Sequence, residues 1–163
     1  MIETMNPMII YHSHTGTTRG LAERVHAACG GNLVEVRLKG DPSAPVAYVA
    51  GVFRSLVHAH TPIQPDAIDV SDADVVVMGT PVWGHRPTPA IRAAADALEG
   101  AAGKPVVLFA TCGGSAGETL PILAEILGAK GMTVADQVVF DTESVQDPAQ
   151  IRALVDAVEA AGP

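Results

Sequence analysis

The sequence predicts an α/β protein: a three-layer α/β/α sandwich around a five-stranded parallel sheet, with residues 1–163 forming a single domain. Three observations carry this. Short apolar runs alternate with amphipathic stretches along the whole chain, the pattern of strands joined by covering helices. Two of the runs, Val75-Val76-Val77-Met78 and Val106-Val107-Leu108-Phe109-Ala110, are apolar at every position and read as strands covered on both faces. A hydrophobic fraction of 48% with only 4% aromatic residues suits a core of Ala, Val, Leu and Ile.

Taken in order, Met8–Tyr11 is the first strand, too short for a helix. Ser13–Thr18 is a loop, and Leu21, Ala22, Val25 and Cys29 then recur at helical spacing until Gly30-Gly31 stops them. Leu33–Leu38 alternates as a strand and ends at Lys39-Gly40-Asp41-Pro42. Tyr48, Val52, Phe53, Leu56 and Val57 place a helix over Ala47–His60, broken by Thr61-Pro62. Asp66–Asp72 leads into the central strand, Ala73–Gly79, and Thr80–Pro87 follows as a loop. Thr88 caps a helix with Pro89 in its first turn, Ile91, Ala94, Ala95 and Leu98 facing inward, and Gly100 beyond its end. Pro105–Ala110 is the next strand, closed by the small-residue loop Thr111–Gly117. Leu120, Leu123, Ile126 and Leu127 form one helical face that stops at Lys130-Gly131. Val134–Phe140 is the last strand. Asp147-Pro148-Ala149-Gln150 is a capping-box start for a helix whose Ile151, Leu154, Val155 and Val158 face the sheet. The sequence contains no repeat, low-complexity tract or linker.

Charge and composition limit the partners. A net charge of −8 disfavours nucleic acid and anionic membranes and would suit a basic protein partner; acidity also serves plain solubility. No apolar run approaches the ~18 residues of a membrane span. Met1–Pro7 has neither the basic region nor the apolar core of a signal peptide, and Cys29 and Cys112 lie far apart outside any C-x-x-C pattern, so the expectation is reduced thiols in the cytoplasm.

Chemistry concentrates in the loops at the carboxyl ends of strands. Ser13-His14-Thr15-Gly16-Thr17-Thr18 joins a strand to a helix N-terminus, where unpaired amides and the helix dipole favour an anion. Its hydroxyls add donors, and Gly16 allows close backbone approach. The same residues are also ordinary loop and N-cap residues that need no ligand. Neither G-x-G-x-x-G nor G-x-x-x-x-G-K-[ST] is present.

This stretch resembles the [ST]-x-T-G-x-T phosphate loop of the flavodoxin family, which holds the FMN phosphate largely without basic side chains. Gly79-Thr80-Pro81-Val82-Trp83-Gly84-His85-Arg86-Pro87 is similar to the family's second flavin loop, G-[ST]-P-[VI]-[WY]-x-G-x-x-P, with its glycine one place early. Thr111-Cys112-Gly113-Gly114 resembles the third, whose backbone meets the flavin ring. The resemblance implies strand order 2-1-3-4-5 and one crevice at the convergence of the three loops. FMN is the implied cofactor, held by Ser13, His14, Thr15, Gly16, Thr17, Thr18, Thr80, Pro81, Val82, Trp83, Gly84, Thr111, Cys112, Gly113 and Gly114. Trp83, the only tryptophan, is expected on the surface and stacked on the flavin, with folding back over the sheet edge as the competing reading.

The remaining reactive groups are weaker signals. Cys112 has no identifiable base and reads as a small residue in a tight loop. His58-Ala59-His60 lacks the further ligands of a metal site. His14 or His85 is placed to act on the flavin electrostatically. Asp72 and Asp74 read as polar residues before a strand.

Three functions stay open. The first, and the leading expectation on net charge and small size, is an electron carrier between protein partners; the third loop, however, lacks the aromatic residue that flavodoxins proper often stack on the outer flavin face. The second is an FMN-dependent oxidoreductase taking hydride from NAD(P)H and reducing a quinone-like acceptor. The third is a domain of this fold without flavin. Fold alone does not choose among them.

Overall fold

The computed structural model describes residues 4–39 and 62–163. The helix expected over 47–60, with the histidines at 58 and 60, lies outside the described residues. The central strands are β1 (Pro7–Tyr11), β2 (Asn32–Glu35), β6 (Val75–Trp83), β9 (Pro105–Thr111) and β10 (Thr133–Phe140). They pair in parallel in the order β10-β9-β6-β1-β2, which is 2-1-3-4-5 when the five are counted along the chain. Helices α1 (Thr17–Cys29), α2 (Pro89–Asp96), α3 (Thr119–Ala129) and α4 (Pro148–Ala161) cover the sheet.

The period-two alternation of the strands builds two cores. Ile9, Tyr11, Val75, Val77, Val107 and Phe109 face one way and pack with Leu21, Ala22 and Val25 of α1 and Leu154, Val155 and Val158 of α4. Ile10, Val76, Met78, Val106 and Leu108 face the other way, against Ile91, Ala94 and Ala95 of α2 and Leu120, Leu123 and Leu127 of α3. Gly79 sits opposite Phe109 on the neighbouring strand, and a Cβ there would lie 2.1 Å from the Phe109 ring. Its missing side chain is what admits the phenyl ring, which meets Phe140 edge-on at 6.4 Å.

Several boundaries differ from expectation. The second strand stops at Glu35: Val36 donates to Tyr11 O (2.7 Å), and the chain then turns away. Arg37–Leu38 becomes β3, paired antiparallel with β4 (Ile63–Gln64). Leu98 is buried as expected but not on the helix, which ends at Asp96; Leu98–Glu99 forms β8, parallel to β5 (Ile68–Asp69). Asp147 caps α4 by accepting from Ala149 N (3.0 Å), but Gln150 does not close the capping box. Its amide donates instead to Val139 O on the edge strand.

The largest change concerns the second loop. The central strand runs on through Thr80-Pro81-Val82-Trp83 and returns as β7 (Arg86–Pro87), pairing Val82 with Pro87 and Trp83 with Arg86. Only Gly84 and His85 remain as the turn, both at positive φ (58° and 61°), the conformation of a tight two-residue hairpin.

Candidate functional site

The loop after β1 is shaped by Ser13 and Gly16. Gly16 takes φ 96° as the residue before α1, and Ser13 Oγ accepts from the amides of Gly16 (3.1 Å) and Arg19 (3.2 Å). The Thr17 and Thr18 amides belong to the first turn, which has no intrahelical acceptor for them. Thr15 and Thr17 are exposed there, their hydroxyls 3.3 Å apart. Arg19, in the first turn of α1, is bonded to Glu35. Burial alone would raise the Glu35 carboxyl, but hydrogen bonds from Arg19 and Arg37 hold it below its usual range.

These loops meet in a cleft of about 300 Å³. Thr15 and Thr17 line it from the first loop, Pro81 and Val82 from the hairpin, and Thr111, Cys112 and Gly113 from the end of β9. The convergence expected from the sequence is therefore present for seven of the named residues. The expectation misses a fourth wall, made by Phe140, Asp141, Thr142 and Val145 after β10. The signal for it lies in the same rule that selects the other three, since Asp141 follows directly on the carboxyl end of a strand. Asp141 Oδ1 accepts from Ser144 N (2.8 Å), Ser144 Oγ (3.0 Å) and Glu143 N (2.9 Å), which keeps its carboxyl below the usual range.

Other expected residues take supporting positions. Thr18 is 1% exposed, and its hydroxyl bonds Thr111 Oγ1 at 2.9 Å, tying α1 to the end of β9 instead of facing the cleft. Thr80 is wholly buried, donating to Pro81 O (2.7 Å) and accepting from Thr88 N (3.3 Å). Ser13, His14, Gly16, Gly84 and Gly114 frame the loops without lining the cleft. Trp83 is not a surface residue: it is 3% exposed and meets the rings of His12 (5.7 Å) and His14 (5.4 Å) edge-on. Its position on the extended strand turns the indole into the molecule. Burial, and then Asp141, push the Cys112 thiol up, which keeps it protonated.

The donor set fits FMN. An anion at this loop would meet two threonine hydroxyls and first-turn amides, all neutral. Pro81, Val82, Cys112 and Gly113 also line the cleft and offer backbone and small side chains to a flat ring. Its volume is at the lower end of the ~300–1,000 Å³ usual for ligand pockets.

Comparison with known proteins agrees with this geometry. A family model described as NADPH-dependent FMN reductase matches residues 8–146. The chain belongs to that family. This is a flavodoxin-like, FMN-binding family, so the resemblance read from the three loops is correct. Among solved structures, this FMN reductase-family chain is similar to a candidate flavoprotein from Bacteroides eggerthii (26% identity, covering 94% of this chain and 98% of that one, TM-score 0.73). It is also similar to a flavoprotein from Lactobacillus acidophilus in complex with FMN (22%, 89% and 99%, TM-score 0.68). A two-electron reduced flavodoxin from Megasphaera elsdenii shares the fold (21%, 95% and 99%, TM-score 0.61). The search of curated proteins finds no match. Among the described residues no helix is long and apolar enough to cross a membrane.

Proposed function

We propose that this chain is an FMN-dependent oxidoreductase that accepts hydride from a reduced nicotinamide and passes electrons to a flat acceptor such as a quinone. One observation carries the choice over an electron carrier. Trp83 is packed against His12 and His14, so among the described residues no exposed aromatic ring lines the cleft to cover a flat cofactor. An uncovered face leaves room for a second flat molecule at the ~3–3.5 Å separation that hydride transfer needs. The family description, with its NADPH dependence, supports the same reading.

FMN, when bound, supplies the redox chemistry. The chain's own residues bind and orient. Thr15, Thr17 and the first-turn amides of α1 take the phosphate, and the α1 dipole adds to their attraction. Pro81, Val82, Cys112 and Gly113, which line the same cleft, would offer backbone and small side chains to the ring. Cys112, held as the thiol, contributes shape and not nucleophilic chemistry. The net charge of −8 supports the carrier as a second reading, because it would steer a basic redox protein.

The deciding experiment loads the purified protein with FMN and follows NADPH and NADH oxidation with a quinone present. Nicotinamide-dependent quinone reduction, retained in Cys112→Ser, is the expected result. FMN binding without nicotinamide oxidation, combined with transfer from the chemically reduced protein to a basic redox protein, would establish the carrier instead. A flavin-free spectrum after incubation with FMN would remove both readings.

A further inference from the structure

His12 is a buried, titratable side chain that the proposed chemistry does not use. It is the first residue after β1 and is 6% exposed. Its Nδ1 lies 2.8 Å from Thr88 Oγ1, the cap of α2, and its ring meets Trp83 edge-on. Around this contact the hydroxyl protons are constrained. Thr80 Oγ1 spends its proton on Pro81 O at 2.7 Å and accepts the Thr88 amide at 3.3 Å. Thr88 Oγ1 accepts from Ile91 N at 3.4 Å, which leaves its proton for His12 at 2.8 Å or for Thr80 Oγ1 at 3.5 Å. With the hydroxyl proton given to the shorter contact, Nδ1 accepts and the imidazole is neutral, the tautomer on which the proposal rests.

We propose that neutral His12 is a positioning residue, joining the Ser13–Thr18 loop to the β6–β7 hairpin and so fixing the spacing of Thr15 and Thr17 against Pro81 and Val82. The chain of contacts is continuous: His12 to Thr88, Thr88 to Thr80, and Thr80 to the Pro81 carbonyl at the cleft wall. Trp83, between His12 and His14, closes the same junction from the hairpin side. A protonated ring would carry N–H on both nitrogens and turn Nδ1 into a donor. Thr88 Oγ1 would then have to accept from His12 and Ile91 together and send its proton towards Thr80. Burial, and then His14, depress the His12 pKa to about 4, whereas Glu35 at the end of β2 acts in the opposite direction. Glu35 is itself bonded to Arg19 and Arg37, which limits that opposition.

The inference rests on the FMN reading for its consequence but not for its first readout. That readout is the emission of Trp83, the only tryptophan, in the protein without flavin across pH 3.5–8, with far-UV circular dichroism recorded alongside. The wild type should hold a constant emission down to about pH 5 and change towards pH 4. His12→Phe, which keeps a ring beside Trp83 but no acceptor, should lose that transition. Its FMN affinity should fall about tenfold, the loss expected from one buried hydrogen bond. His12→Asn, which restores an acceptor near Nδ1, should recover most of the affinity. His14→Ala separates the contribution of the second histidine to the emission. Should His12→Phe not fold, Thr88→Ser and Thr88→Val make the same comparison from the other end of the bond, serine binding FMN and valine binding it weakly. His12→Phe or Thr88→Val binding FMN as tightly as the wild type would overturn the inference. A wild type that takes up no FMN would overturn the proposed function instead, and the emission of the variants would still decide whether His12 holds the hairpin.

Discussion

At the scale of single residues, two threonines one place apart do opposite work. Thr17 is exposed on the cleft, whereas Thr18 is buried and bonded to Thr111. Replacing Thr15 and Thr17 by alanine should therefore weaken FMN by ~1.5–3 kcal/mol for each lost bond to the phosphate, with little change in stability. Thr18→Val should do the reverse: about 1–3 kcal/mol of stability lost through the unpaired Thr111 hydroxyl, with the anion donors still in place. Fluorescence titration and urea unfolding of the variants check both halves. A double Thr15, Thr17 variant with unchanged flavin affinity would reduce these hydroxyls to loop residues. His12 makes the fold itself depend on pH. Folded, it titrates at about 4; in the unfolded chain it titrates near 6.5, so the unfolded chain binds more protons between those values. Its contribution is thus complete above about pH 6.5, falls as the pH drops to about 4, and is constant below. The full loss is about 3 kcal/mol. Paired carboxylates such as Glu35 lose stability over a lower range, so the His12 part is read as the difference in urea midpoint between wild type and His12→Asn. Parallel pH profiles for the two proteins would contradict it.

Elements show how far the sequence alone could reach. The five strands are legible because apolar period and turn residues agree at each of them, whereas their order and the convergence of the loops come from the resemblance to the flavodoxin family. The second loop is not. Thr80-Pro81-Val82-Trp83 looks like a loop, since proline interrupts the apolar run and glycine follows. In the fold this segment prolongs β6 beyond the first strand: β1 ends beside Gly79, while β9 still reaches Pro81. What makes it a hairpin is a contact far away in sequence: Glu118 N donates to His85 O at 2.9 Å, and a Cβ at Gly117 would lie 2.5 Å from His85 Cβ. Local propensity carries no trace of that docking. The same holds for Trp83, which reads as a free stacking ring until His12 and His14 are seen on its edges. Thr18 reads as a phosphate donor until Thr111, 93 positions on, supplies its partner. The residues that sequence reasoning misplaced are those whose roles depend on distant partners. Thr15 and Thr17, which line the cleft, sit on the exposed face of a strand–loop–helix turn, where local geometry suffices.

For the whole molecule, the consequence is that FMN and the fold should be linked. The cleft is walled by segments far apart in the described chain, from Thr15 to Val145. A ligand held by all of them at once binds the folded state and not the unfolded one. At a free concentration of one hundred times its Kd it stabilises the fold by ~2.7 kcal/mol. For a chain of this size each kcal/mol corresponds to roughly 2–4 °C in Tm, so FMN should raise the midpoint by about 5–10 °C. Riboflavin offers the same ring without the phosphate. It should give a clearly smaller rise at equal concentration, because the loop donors then remain solvated and the α1 dipole faces no charge. Raising the ionic strength should reduce the FMN shift only modestly if neutral hydroxyls and amides hold the phosphate, since among the described residues no basic side chain lines the cleft. Differential scanning fluorimetry or calorimetry of the three samples, flavin-free, FMN and riboflavin, makes the comparison. Equal shifts with FMN and riboflavin would place the binding energy in the ring alone and remove the phosphate site at Thr15 and Thr17.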